Sequence, residues 1–168
     1  MRHLTLITTG GTIEKTYDEQ SGSLENRRSI VDRMVRRLRL EDTSISTIEL
    51  MSKDSQFMTP EDRETIAETV EAVLRVKPSG IVILHGTDTL TLTGEHLHKK
   101  FPSPGVPIIL TGAMRPFEMR RSDALQNLTE SLLAAGILQP GVYCVTHGRV
   151  LAFPGIVKDR VRATFVKP

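Results

Sequence analysis

Apolar and polar positions alternate along this chain with two periods, and the periods themselves take turns. Leu4, Leu6 and Ile7 sit among threonines in a strand-like stretch over residues 4–9 that stops at Gly10 and Gly11. Residues 29–40 carry Ile30, Met34, Val35 and Leu38 at helical spacing, with Ser29 placed as an N-cap. Residues 44–50 alternate as a half-buried strand does. Thr59-Pro60-Glu61-Asp62 then combines a capping hydroxyl, a proline at the first helical position and acids in the first turn. The helix it opens is predicted to run to about Val76 and to stop before Pro78. Residues 80–84 form an unbroken apolar run, the pattern of a parallel strand covered on both faces. A helix over 89–100, a strand over 106–110, a helix over 122–135 closed by Gly136 and a strand over 141–146 follow. Residues 150–153 are predicted to fold back on that strand through His147-Gly148-Arg149.

Strand followed by helix, four times over, predicts an α/β fold. Its expected form is a doubly wound, mostly parallel sheet with helices on both faces, Rossmann- or flavodoxin-like. A chain of 168 residues with no linker, repeat or low-complexity tract reads as one domain over 1–168. Ligands of such sheets bind beyond the carboxyl ends of the strands. Chemistry is therefore expected at residues 8–12, 50–56, 85–89 and 111–115, and after Thr146.

Charge changes this picture little. Twenty-two basic and 20 acidic residues leave a net +2, and the densest basic cluster, Arg33, Arg36, Arg37 and Arg39, interleaves with apolar residues as the wet face of a helix would. No nucleic-acid motif or aromatic platform accompanies it, so no nucleic-acid partner is expected. The single cysteine excludes an internal disulfide and a cysteine-based zinc cluster, and Cys144, in an apolar run, reads as a buried structural thiol. The five histidines contain no HExxH pair, and His96 and His98, two apart on a helix, face different ways, so no metal is expected. No run approaches the ~20 apolar residues of a membrane span, and the apolar start of the chain is too short for a signal peptide. A cytoplasmic protein without a membrane partner is the expectation.

The predicted strand ends hold the candidate chemistry. Gly10-Gly11 allows a sharp turn or a close backbone approach to a ligand, but neither GxxxxGK[ST] nor GxGxxG is present. His85-Gly86-Thr87-Asp88-Thr89 puts a hydroxyl beside a carboxylate at the end of a buried strand, where they either bind a ligand or cap the next helix. Asp54-Ser55-Gln56 either grips a polar ligand or makes a turn, and Lys158, past a loop with Gly and Pro, is ordinarily a solvent-exposed lysine. No Gly-x-Ser-x-Gly elbow occurs, which excludes an α/β-hydrolase.

Taken together, Thr9-Gly10-Gly11-Thr12-Ile13, His85-Gly86-Thr87-Asp88-Thr89 and Gly112-Ala113-Met114-Arg115-Pro116 resemble the signatures of the bacterial-type L-asparaginase/glutaminase family, in order and across essentially the whole chain. The resemblance implies that family's doubly wound N-terminal domain. It implies Thr12 as primary nucleophile, Thr87 and Asp88 as second catalytic threonine and substrate-binding aspartate, and Lys158 as their partner, in a segment ending Ala163-Thr164-Phe165. As a base, Lys158 would need a desolvated place. Ser55 and Gln56 resemble the pair that grips the substrate's amino-acid end, and the backbone at Gly11 would help bind the reacting group. Tyr17 is the tyrosine that follows the nucleophile, earlier than the family usually has it. The implied activity is hydrolysis of L-asparagine to L-aspartate and ammonia without a cofactor. A glutaminase, another amidase or a non-catalytic amino-acid-binding module are the alternatives. Family members usually add a C-terminal domain that contributes to a neighbouring subunit's site. This chain ends at Pro168, where that domain would start, so the expectation is either a naturally short member or a fragment, without that domain and forming a homo-oligomer.

Overall fold

The alternation of strand and helix builds a layered structure, described here for residues 1–168 by a computed structural model. In chain order the main elements are β1 (Arg2–Gly10), β2 (Thr16–Asp18), β3 (Ser23–Glu25), α1 (Val31–Val35), β4 (Thr43–Lys53), α2 (Pro60–Arg75) and β5 (Gly80–Leu84). They continue with α3 (Leu90–Lys100), β6 (Pro107–Thr111), α4 (Ala124–Ala135), β7 (Gly141–Thr146), β8 (Arg149–Ala152), β9 (Val157–Asp159) and β10 (Thr164–Val166).

The main sheet has the order β4-β1-β5-β6-β7-β8. Its first five strands are parallel and β8 is antiparallel to β7. Period-two alternation sends the two faces of each strand into two cores. Ile7, Ile81, Ile83, Ile108 and Leu110 meet α2 and α3 through Ile66, Val70, Leu90 and Leu97. On the other face Leu4, Leu6, Val82, Leu84 and Ile109 meet α1 and α4 through Met34, Ala124, Leu128 and Leu132. β5 and β6 are buried along their whole length, as their apolar runs require. The sheet is thus doubly wound, as expected.

The chain winds from β1 outward to β4, then returns to place β5 on β1's other side. The strand order reverses between β1 and β5, and the crevice at their carboxyl ends is the switch point of the fold. The loops carrying Thr12 and Thr87 leave from those two strands.

The capping prediction for α2 is met in full: Thr59 accepts from the Asp62 N–H while the Asp62 carboxylate accepts from the Thr59 N–H. The helix predicted over 29–40 is shorter. α1 covers only Val31–Val35 with Ile30, not Ser29, at its cap, and the following N–H groups bond three residues back, Arg37 to Met34 and Leu38 to Val35. Only Ile30, Val31 and Met34 of this segment are fully in the core, all before its midpoint, too little burial to hold a longer helix. The hairpin after β7 forms with residues 149–152 as its second strand, turning at His147 and Gly148, both with positive φ. Two short hairpins, β2–β3 and β9–β10, have no counterpart in the predicted elements.

Candidate active site

β1 ends in a distortion. Its register against β4 shifts between Thr8 and Gly10, and Gly10 and Gly11 take φ of 98° and 80°. Side chains other than glycine are strained there. Gly11 also lies against the loop after β5: a Cβ on it would stand 2.4 Å from the Gly86 nitrogen. Gly86 is pressed in turn against Ser55, whose Oγ would be 2.4 Å from a Cβ at Gly86. Three strand ends, those of β1, β5 and β4, thus meet backbone to backbone. Thr12 and Thr87, each one residue past a glycine of this contact, share the rim of the crevice.

On that rim four of the predicted residues are joined by hydrogen bonds. Lys158 Nζ donates to Thr87 Oγ1 and to Asp88 Oδ1, both at 2.8 Å. Gln56 Nε2 donates to Asp88 Oδ2 at 2.7 Å, and Arg160 adds a longer ion pair to Asp88 at 3.3 Å. Lys158 is held by the β9–β10 hairpin, in which it faces Phe165, a core residue. Only 16% of its side chain is exposed, so it is no free surface lysine. The hydrogen bond from Lys158 and that from Gln56 hold the Asp88 carboxyl below its ordinary range, so it is ionised near neutrality. Thr87 is buried beside it.

Ser55 has a positioning place. It is buried, its Oγ accepts from the Thr89 N–H at 3.3 Å, and its carbonyl accepts from Thr89 Oγ1 at 2.8 Å. These bonds fasten the turn bearing Gln56 to the start of α3. Thr12 is half-buried and opens the single helical turn Thr12–Glu14. Tyr17 stands apart. It is 58% exposed on β2, its backbone N–H bonds Glu118, and its hydroxyl makes no hydrogen bond to Thr12 or to the Lys158 cluster.

Several contributors escaped the sequence reading. Lys15 pairs with Asp54 at 2.7 Å; partial burial would raise Asp54, but the Lys15 bond and the Gln56 N–H hold it below its ordinary range. Asn26 Nδ2 donates to the Gly11 carbonyl at 2.8 Å. Glu14, two residues after Thr12, is buried and accepts from the Gly10 N–H at 3.1 Å. His85 is fully buried between the Gly86 carbonyl and Thr93, and desolvation lowers it to about 4, which makes it a neutral packing residue. Behind the Lys158 hairpin, His147 bridges Asp123 at 2.7 Å and Thr164 at 2.8 Å, while Asp123 also accepts from the Met114 and Arg115 N–H groups. Of these, Asp54 in the polar turn, and His85 and His147 at strand ends, lay where the sequence directed attention.

An L-asparaginase of Thermococcus kodakarensis is 32% identical over 148 residues, 88% of this chain and 45% of the relative. A glutamyl-tRNA(Gln) amidotransferase subunit of Methanococcus vannielii is 32% identical over 152 residues, 89% of this chain and 35% of the relative. The chain therefore spans less than half the length of either. The solved structure of the thermostable L-asparaginase from Thermococcus kodakarensis superposes with a TM-score of 0.84 at 30% identity, covering 98% of this chain and 51% of that one. A probable cytoplasmic L-asparaginase from Campylobacter jejuni, 24% identical, shares the fold with a TM-score of 0.85. Residues 3–164 match the family described as asparaginase, N-terminal, a span that takes in both strand-end loops of the crevice and Lys158: the chain belongs to the asparaginase family.

Proposed function

We propose that this chain hydrolyses the side-chain amide of L-asparagine, giving L-aspartate and ammonia through an acyl-enzyme on Thr12. The observation that carries the reading is the Lys158–Thr87–Asp88–Gln56 network at the switch point, next to the Gly11–Gly86 contact. The ionised Asp88 suits the substrate's α-ammonium group, since a desolvated carboxylate makes charge-assisted hydrogen bonds. Thr12 Oγ1 attacks the amide carbon, and backbone N–H groups of the turns at Gly11 and Thr87–Asp88 steady the oxyanion. Tyr17 assists removal of the Thr12 proton, which requires the β2–β3 hairpin to bend over the turn when substrate binds. The C–N bond breaks, and the nitrogen takes the proton given up by Thr12 and leaves as ammonia. Water held by Thr87 and Lys158 then attacks the ester, its proton passing to Thr12 Oγ1 as the ester bond breaks, which frees Thr12 and aspartate.

The similarity to glutamyl-tRNA(Gln) amidotransferases favours a second reading, in which glutamine is the amide donor. Ammonia release measured side by side with asparagine and glutamine decides between them. The faster substrate identifies the activity, and no release from either defeats both readings.

A further inference from the structure

The turn that presents Thr12 is held by side chains as well as by the sheet, to which the Gly11 N–H donates at the Lys53 carbonyl, 2.9 Å away. Past the register shift Gly10 stands opposite Lys53, and its N–H goes to Glu14 Oε2 at 3.1 Å. Glu14 Oε1 accepts from the Ser29 hydroxyl, and Ser29 Oγ accepts from the Val31 N–H at 3.2 Å, which ties the turn to the start of α1. Glu14 is 2% exposed and forms no ion pair. A buried carboxylate without a cation is costly, and a neutral glutamine would keep one of these bonds as acceptor and donate to Ser29 in place of the other. The charge itself therefore demands a use. A carboxylate binds a backbone N–H more strongly than a neutral acid does.

We propose that Glu14 is the positioning residue for Thr12: its ionised carboxylate fixes the Gly10–Thr12 turn, and protonation loosens it. The functional half of this rests on the reading of Thr12 as nucleophile. The charged surroundings are asymmetric. From β4 comes Glu49, which opposes ionisation, while Lys53 is occupied by Asp62. Arg28, Asp32 and Arg36 line a cavity of about 550 Å³ on the far side of Ser29, together with Arg27, paired to Asp18 and Glu25, and Arg33, paired to Glu118. Lys15, on Glu14's own turn, is taken by Asp54, and His85 from the β5 side is neutral. Burial lifts Glu14 to about 6, so the turn is fixed above that pH and released below it, while Asp88 stays ionised through the same range.

Two measurements test this. In ammonia-release kinetics, kcat of the wild type should fall about tenfold as the pH drops through 6, with KM changed less than about twofold. Glu14→Gln should show the low kcat already at pH 7.5 and no acid fall, and Glu14→Asp should regain part of both. In ¹H–¹⁵N spectra the Gly10 amide should titrate near pH 6 in the wild type and stay flat in Glu14→Gln. Wild-type kcat in Glu14→Gln at pH 7.5, or a Gly10 amide indifferent to pH in the wild type, overturns the proposal. A wild type that releases no ammonia defeats the nucleophile reading instead, and the Gly10 resonance still decides whether Glu14 holds the turn.

Discussion

Asp88→Asn removes a single charge from the centre of the proposed site, and its cost can be worked from the contacts. The carboxylate accepts from Lys158 at 2.8 Å and Gln56 at 2.7 Å, with Arg160 at 3.3 Å. Asparagine keeps one acceptor oxygen, so at least one of the two short bonds is lost and Lys158 is left without its nearest counter-charge. A hydrogen bond to a charged group is worth about 1.5–3 kcal/mol. Since roughly a quarter of Asp88 is exposed, solvent screening puts the stability loss near the lower end, about 1.5 kcal/mol. The effect on substrate is larger, because an α-ammonium group loses its carboxylate inside the crevice. About 2–3 kcal/mol there raises KM for asparagine roughly 30- to 200-fold. Urea denaturation gives the first number and ammonia-release kinetics the second. Unchanged KM and kcat, with or without a stability loss, would reduce Asp88 to a counter-ion for Lys158 at the head of α3.

Other consequences can be checked separately. Glu14→Gln should raise stability at pH 7.5 by up to about 2 kcal/mol, because the shift from 4.5 to about 6 means that the ionised group destabilises the fold. The sign follows from proton counting: the folded state holds the extra proton between those two values, so wild-type stability rises as pH falls from 6 towards 4.5, and denaturation midpoints of the variant should lack that rise. Gly86→Ala should cost about 1–3 kcal/mol and most activity, since the new Cβ falls 2.4 Å from Ser55 Oγ; a denaturation curve identical to wild type would contradict the three-loop contact. Cys144, fully buried and pushed up to about 12, should resist alkylation at pH 8 in the folded protein and react once urea unfolds it.

Much of the framework is legible in the sequence because its signals are local. The apolar run at 80–84, the capping box at Thr59 and the glycine after α4 each carry their own reason for being a strand, a start or a stop. The two short hairpins are not local in this sense. β2–β3 and β9–β10 are three residues per strand without apolar alternation, and what fixes the second is Phe165 entering the core. Lys158 rides on that strand pair, which is why its own neighbourhood reads as a loop and only the family resemblance singled it out. Glu14 and Asn26 were missed for a related reason: a polar residue in a short connection looks solvated, and only the folded chain brings Glu14 to the Gly10 N–H and Asn26 to the Gly11 carbonyl. The long helix expected from Ser29 failed in the opposite direction. Its spacing was helical, but three buried residues, all in its first half, could not hold three turns.

The central claim is that Thr12 carries a covalent intermediate in amide hydrolysis, and one comparison tests it most directly: ammonia release from L-asparagine by the purified wild type and by Thr12→Ala, with urea denaturation to show that both are folded. The turn at Gly10–Gly11 and its clamps from Glu14 and Asn26 do not involve the Thr12 hydroxyl, so the variant should unfold within about 0.5 kcal/mol of the wild type. The account predicts that it retains less than about a hundredth of the activity. A folded Thr12→Ala protein that keeps more than about a tenth of wild-type ammonia release would contradict it.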